Sequence, residues 1–381
     1  MHTITLLHPN KLVFGNDSLN EFVKDFILTG NRRLFIVTAP PILHLIESSI
    51  NKLEKNGIEI FVEKNILAEP TIESFMDSFK LARDFKSDSV VGIGGGSALD
   101  VAKLIAALLN NTQTIYDVLG IGNLKSRNTY LACLPTTSGT GSEVSPNAIL
   151  LDEEVKLKKA AISPNLVPDA VYVDPKLTLS VPAMVTAATG MDALTHCIES
   201  YANKFAHPAI DVYALGGIRL ISKYLKRAVE NGNDLEAREN LSLGSLFGGF
   251  CLGPVNTGAV HALSYPLGSE FHVAHGLSNA LLLPYVIEYN IDAAPERYAD
   301  IALAMGGEKK ESVLETAKQA AYLCKKLSAD INIPTKLSEV GIDKSSIQRI
   351  AESGMTITRL LKNNVKEITL EDAINIISSA Y

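Results

Sequence analysis

The stretch SVVGIGGGSALDVAKLIAALL, residues 89 to 109, runs from a β-branched apolar segment through three consecutive glycines, Gly94, Gly95 and Gly96, into a helical pattern. A strand that ends in glycines and reopens as a helix presents backbone N–H groups beside the positive end of a helix dipole, which suits a pyrophosphate. The loop is not a P-loop, because Ser97 and Ala98 follow where that motif carries Lys and Ser or Thr, and it is not GxGxxG. A tight turn packing a helix on a sheet explains the same glycines.

Working outward, RRLFIVTA (32–39) leads into a helix to about Gly57, then IEIFVEKNI (58–66), then a helix from about Ile72. This alternation predicts βαβ units on a parallel sheet with helices on its faces. After AVYVDP (170–175) the β pattern stops, and helices are expected at 184–203, 207–229, 234–250 and 310–328, separated by Pro, Gly and Asn turns. The chain of 381 residues exceeds what one core usually organises. It reads as an α/β dinucleotide-binding domain over 1–180 and an all-helical domain over 181–381.

A second loop, LPTTSGTGSEV (134–144), crowds Thr136, Thr137, Ser138, Thr140 and Ser142 together. Hydroxyls and amides of this kind supply neutral donors to phosphate and ribose oxygens, while a capped turn is the ordinary alternative. The two loops together point to a dinucleotide cradle.

The formal net charge of −7 argues against a nucleic-acid partner, which favours a basic face. No apolar run reaches membrane-spanning length, and the N-terminus lacks a basic segment followed by a long apolar one, so a cytoplasmic protein is expected. Cys133, Cys197, Cys251 and Cys324 form no CxxC pair and are expected to be buried thiols in a reducing compartment.

In AATGMDALTHCIESY (187–201), Asp192 and His196 are four apart on a helical stretch and share one face. His261 and His275 follow in a second histidine-bearing segment, and one carboxylate with three imidazoles completes a first shell for a divalent transition metal. Singly, each has a bland reading as a helix-surface pair or a hydrogen-bonded core histidine. His272 is close enough in sequence to line such a pocket without ligating.

GGGSALDVAK, LPTTSGTGSEVSPNAI, PDAVYVDP, AATGMDALTHCIESY and HALSYPLGSEFHVAHGLSNALLLPYVIEYN, in that order from 94 to 290, together resemble the iron-containing (group III) alcohol dehydrogenases, the class that includes lactaldehyde reductase and propanediol dehydrogenase. The resemblance implies the iron alcohol dehydrogenase or dehydroquinate synthase-like fold, with a metal at the cleft between an N-terminal α/β domain and a helical one. It implies Asp192, His196, His261 and His275 as ligands of Fe²⁺, with Zn²⁺ an alternative. It places NAD or NADP on Gly94, Gly95, Gly96, Ser97 and Ala98, on Thr136, Thr137 and Thr140, and near Lys159. It also implies a homodimer or larger homo-oligomer.

Two positions depart from the family pattern. Where many relatives carry an Asp at the end of the strand LFIVT, this chain has Ala39 before Pro40 and Pro41, so the carboxylate that repels a 2′-phosphate is missing. Where a histidine often follows the third ligand by four residues stands Tyr265, which leaves Tyr265 or His272 as proton carrier. The expected activity is metal-dependent, NAD(P)-linked interconversion of a small-molecule alcohol with an aldehyde or ketone. One rival is an oxo-acid reductase, either maleylacetate reductase-like or a hydroxyacid-oxoacid transhydrogenase. It would want a cation facing the metal, and Arg219 and Arg238 read instead as solvated helix faces. The other rival is a non-catalytic nucleotide-binding or metal-storage protein.

Overall fold

The computed structural model describes residues 1–66, 69–155 and 157–381. They form two compact units: Leu7–Thr137 with Ser142–Ser180, and Val181–Tyr381 with Met1–Leu6 and Ser138–Gly141. The second unit thus takes two short segments from the N-terminal half of the chain.

In the first unit the strands are β1 (Lys11–Phe14), β2 (Arg33–Val37), β3 (Glu59–Glu63), β4 (Ser89–Gly94), β5 (Gly120–Ile121), β6 (Tyr130–Pro135), β7 (Asn147–Asp152), β8 (Leu157–Ile162) and β9 (Ala170–Val173). Helices α1 (Ser18–Leu28), α2 (Leu43–Lys55), α3 (Ile72–Asp84), α4 (Gly96–Leu108) and the short α5 (Ile115–Val118) connect them. A six-stranded sheet runs β1-β9-β6-β4-β2-β3, with every pairing parallel. β4 lies near its centre and is buried along its length, as expected for a strand covered on both faces. The alternation of strands and helices predicted this sheet, but not the second one, β5-β8-β7, whose β7–β8 pair is antiparallel. β7 is alternately buried and half-buried, the period-two pattern of a strand covered on one face.

The glycines of β4 let α4 lie close. A Cβ on Gly92 would stand 2.9 Å from the Ala102 Cβ, and one on Gly94 would stand 2.7 Å from the Ala98 Cβ. α4 is then fastened to the chain that follows the threonine loop. The fully buried Lys103 donates from Nζ to the carbonyl oxygens of Ser142 and Ser145, both at 2.8 Å, and to that of Asn147. Asp100 accepts from the Ser142 hydroxyl at 2.5 Å and from the Ile149 N–H at 3.0 Å. These bonds answer most of the cost of burying an ammonium group.

The second unit is built from α6 (Ala183–Tyr201), α7 (Pro208–Glu230), α8 (Leu235–Leu252), α9 (Ala259–Phe271), α10 (His275–Asn290), α11 (Pro295–Ala304), α12 (Val313–Asp330), α13 (Ile347–Met355), α14 (Thr358–Leu361) and α15 (Leu370–Ser379). The helices expected at 184–203, 207–229, 234–250 and 310–328 correspond to α6, α7, α8 and α12. α6 is buried over nearly its whole circumference, so it is the helix the others pack around. All four cysteines are free and buried.

Glu143, at the end of the threonine loop, is buried, and burial pushes its carboxyl up to about 7 despite its own backbone N–H and the Lys103 ammonium, both of which favour the charged form. A folded-state value above the ordinary 4.5 adds stability that is complete below pH 4.5 and is lost as pH rises through about 7. Relative to wild type, Glu143→Gln is therefore expected to gain on the order of 3 kcal/mol between those limits, read from urea midpoints across the pH range. A pH-independent difference between the two proteins overturns this.

Candidate metal centre

Asp192, His196 and Glu199 follow one another at helical spacing on α6, and all three are buried. Buried polar groups at i, i+4 and i+7 put a polar stripe on the inward face of an otherwise apolar helix, where each group needs a partner. Those partners come from the first turns of two other helices. α9 opens after Gly258 and carries His261, while His275 is the first residue of α10. Gly276 makes the second approach possible, because a Cβ there would overlap the Ala188 carbonyl oxygen of α6 and stand 3.2 Å from the Asp192 Cβ.

The Nε2 atoms of His196, His261 and His275 each lie 3.6 Å from the same atom, Asp192 Oδ1. Ligand atoms on a tetrahedron with metal bonds of roughly 2.1 Å stand about 3.4 Å apart. The spacing therefore fits a divalent ion bound by one carboxylate oxygen and imidazole nitrogens. Asp192, His261 and His275 form the tightest group, with one ligand atom from each all within 4.8 Å of one another, and His196 joins through the shared carboxylate. The rings of His196 and His261 stack at 4.9 Å, and those of His261 and His275 meet edge-on at 5.3 Å. His275 is the most open of the set, its side chain 29% exposed.

Around this group lie residues that the sequence reading did not single out. Asn279, one turn after His275, donates from Nδ2 to Asp192 Oδ1 at 2.7 Å and is held by the Ser264 hydroxyl, which donates to its Oδ1 at 2.5 Å. Glu199 lies with Oε2 2.6 Å from His261 Nδ1 and with Oε1 accepting the Val260 N–H at 2.6 Å. Helical spacing from His196 was the one signal for Glu199, but a glutamate on a helix is ordinarily solvated.

The charges follow from this arrangement. Burial alone would raise the Asp192 carboxyl, but the imidazoles of His196, His275 and His261 more than reverse that and hold it well below the usual carboxylate range. Burial alone would lower His261, and the carboxylates of Glu199 and Asp192 push it up to about 9 instead. Burial dominates at His196 and lowers it.

The remaining candidates fall in different places. The Tyr265 ring is 5.7 Å from that of His275 and 6.5 Å from that of His261, and its hydroxyl is hydrogen-bonded by Arg359. Burial raises the phenol, and the guanidinium opposes the rise. His272 is exposed, in the left-handed conformation that ends α9, and among the described residues no hydrogen bond or ring contact joins its imidazole to His196, His261 or His275. Arg219 is exposed as expected, but Arg238 is not a solvated residue. It is 2% exposed and donates to Thr186 Oγ1 at 2.7 Å and to the carbonyls of Gly232 at 3.0 Å and Val181 at 3.1 Å, so its guanidinium is partnered where it is buried.

In the sheet-bearing unit, Gly95, Gly96 and Ser97 form the half-exposed tip between β4 and α4, whereas Gly94 and Ala98 are buried beneath it. Gly95 is the N-cap of α4 and provides no side-chain cap, so the first-turn N–H groups are not claimed by a capping side chain. The Thr136 N–H donates to the Gly94 carbonyl at 3.0 Å, and a Cβ on Gly95 would meet the Thr137 side chain at 3.5 Å, which puts the start of the threonine loop beside the glycine loop. Thr140 belongs to the short segment Ser138–Gly141 of the helical unit, where Ser138 and Ser242 share a hydroxyl hydrogen bond of 2.9 Å. Ala39 is half-buried and extended at the end of β2. Lys159 sits inside β8 and pairs with Asp152 at 2.6 Å.

Residues 9–175 match the family described as iron-containing alcohol dehydrogenase, and residues 186–381 match its C-terminal domain. The chain is 36% identical to long-chain-alcohol dehydrogenase 1 of Geobacillus thermodenitrificans, over 100% of this chain and 98% of that protein. It is 34% identical to 1,3-propanediol dehydrogenase of Citrobacter freundii, over 95% and 96% respectively. Among solved structures, a 1,3-propanediol oxidoreductase superposes with a TM-score of 0.96 at 32% identity, and an alcohol dehydrogenase from Oenococcus oeni with 0.95 at 31%. The 1,3-propanediol oxidoreductase covers 100% of both chains, as does the Oenococcus enzyme.

The close approach at Gly276 has a testable consequence. Gly276→Ala is expected to push the start of α10 away from α6, at a cost of about 1–3 kcal/mol in stability, and to separate His275 from Asp192. The variant should keep its helical circular dichroism but lose divalent metal on dialysis that wild type retains. Equal retention overturns the packing argument.

Proposed function

The chain belongs to the iron-containing alcohol dehydrogenase family and is an oxidoreductase, and from that premise we propose that it interconverts a small alcohol with its aldehyde or ketone using NAD or NADP, with a divalent metal held by Asp192, His196, His261 and His275. The observation that carries the reading is a single buried carboxylate oxygen equidistant, at 3.6 Å, from three imidazole nitrogens. When bound, the metal supplies Lewis acidity to the substrate oxygen. Fe²⁺ is the ion the family name favours, and Zn²⁺ suits the same donors.

The chain's own groups divide the remaining work. The half-exposed tip Gly95–Ser97 and the uncapped start of α4 receive the pyrophosphate, with Gly94 and Ala98 packed beneath and Thr136 and Thr137 beside it. Thr140 and Lys159 complete the cofactor contacts. Ala39 leaves the end of β2 without a carboxylate to repel a 2′-phosphate, so the cofactor is NAD or NADP. Tyr265, whose ring neighbours His275 and whose hydroxyl touches Arg359, is the proton carrier favoured over the exposed His272.

The division of labour lies near residue 180, with cofactor binding before it and metal and substrate binding after it. Four buried free thiols suit a reducing, cytoplasmic setting, and a homodimer or larger homo-oligomer is the working assembly.

Protein stripped with a chelator and reconstituted without oxygen with Fe²⁺ or Zn²⁺ is expected to oxidise NADH or NADPH with a short aliphatic aldehyde only when metal is restored. Turnover that is indifferent to metal refutes the reading. His261→Ala should lose at least about 100-fold in kcat while the dissociation constant for NADH, measured by fluorescence, stays within a few-fold.

A further inference from the structure

We propose that Glu199 is a positioning residue that selects the ring nitrogen His261 offers to the metal: by accepting the Nδ1 proton it leaves Nε2, on the side of the Asp192 cluster, as the nitrogen at which a metal replaces the proton. The inference rests on the metal-centre reading above. Glu199 is hydrogen-bonded to the His261 ring and to the Val260 N–H. It acts through the histidine.

The geometry is specific. Glu199 Oε2 lies 2.6 Å from His261 Nδ1, on the far side of the ring from Nε2, which lies 3.6 Å from Asp192 Oδ1. The other oxygen, Oε1, accepts the backbone N–H of Val260 at 2.6 Å. One buried side chain on α6 therefore holds both the ring of His261 and the backbone that carries it. An ionised carboxylate accepts at both oxygens, so it satisfies two donors at once. A neutral imidazole whose Nδ1–H is given to a carboxylate has its lone pair on Nε2 and is a more basic ligand.

Glutamine, nearly the same shape, cannot do both. If its oxygen keeps the Val260 N–H, its NH₂ faces Nδ1, which must then accept, and the proton moves to Nε2, the atom that should ligate. If the amide is reversed, its NH₂ opposes the Val260 N–H and the start of α9 loses its anchor. Either orientation penalises metal binding without removing a ligand.

The test uses the full chain with Zn²⁺ as probe. Glu199→Gln should weaken Zn²⁺ about 10- to 100-fold in chelator competition, while circular dichroism and NADH affinity stay at wild-type values. Wild type loaded with Zn²⁺ and labelled with ¹⁵N-histidine should show His261 metallated at Nε2 and protonated at Nδ1. A Glu199→Gln affinity within about twofold of wild type, or a wild-type His261 metallated at Nδ1, overturns the proposal. Where the variant does not fold, the wild-type nitrogen assignment alone decides. Failure of wild type to bind Zn²⁺ or Fe²⁺ at all would instead remove the metal-centre reading, and this inference with it.

Discussion

Asp192 Oδ1 is a carboxylate oxygen withdrawn from water and approached equally by three imidazole nitrogens, and the helical unit is arranged around it. An unpaired buried carboxylate would be prohibitively costly. The surroundings answer that cost with groups able to carry positive charge and with the Asn279 amide, a neutral donor. Meeting this requirement fixes the chain on either side. α10 must lie against α6 closely enough to need Gly276, and α9 must start where Glu199 can receive Val260. The packing of three helices thus serves one polar centre.

The sheet-bearing unit buries a charge of the opposite sign by another route. Lys103 is answered mainly by backbone carbonyls, whose dipoles are fixed and uncharged, with Asp100 close by on the same helix. Because those carbonyls belong to the chain that leaves the threonine loop, they tie that end of the loop to α4. Gly94 fastens the other end of α4 to the strand it follows. The glycine tip is then the part of the α4 entry with exposed surface, and its freedom is limited from both sides.

Much of this was legible in the sequence because it depended on local order. A strand ending in glycines before a helix, and an Asp and His four apart on a helix, keep their meaning wherever the chain later goes. What escaped depended on distant partners. Glu199 reads as a solvated glutamate until His261 and Val260 are placed beside it. Arg238 reads the same way until Thr186 and the carbonyls of Gly232 and Val181 are placed around its guanidinium. The antiparallel β7–β8 pair was missed because the βαβ rhythm around it suggested only parallel neighbours.

The four clustered side chains come from α6, α9 and α10, and α7 and α8 separate the first of these helices from the other two along the chain. An ion gripped by all of them would therefore act as a cross-link, since it would bind the assembled helices and not the unfolded chain. Such linkage adds about 4 kcal/mol when free ion exceeds its dissociation constant a thousandfold, a large part of the margin that keeps a domain folded. The stability of the helical unit would then follow the free metal concentration around it.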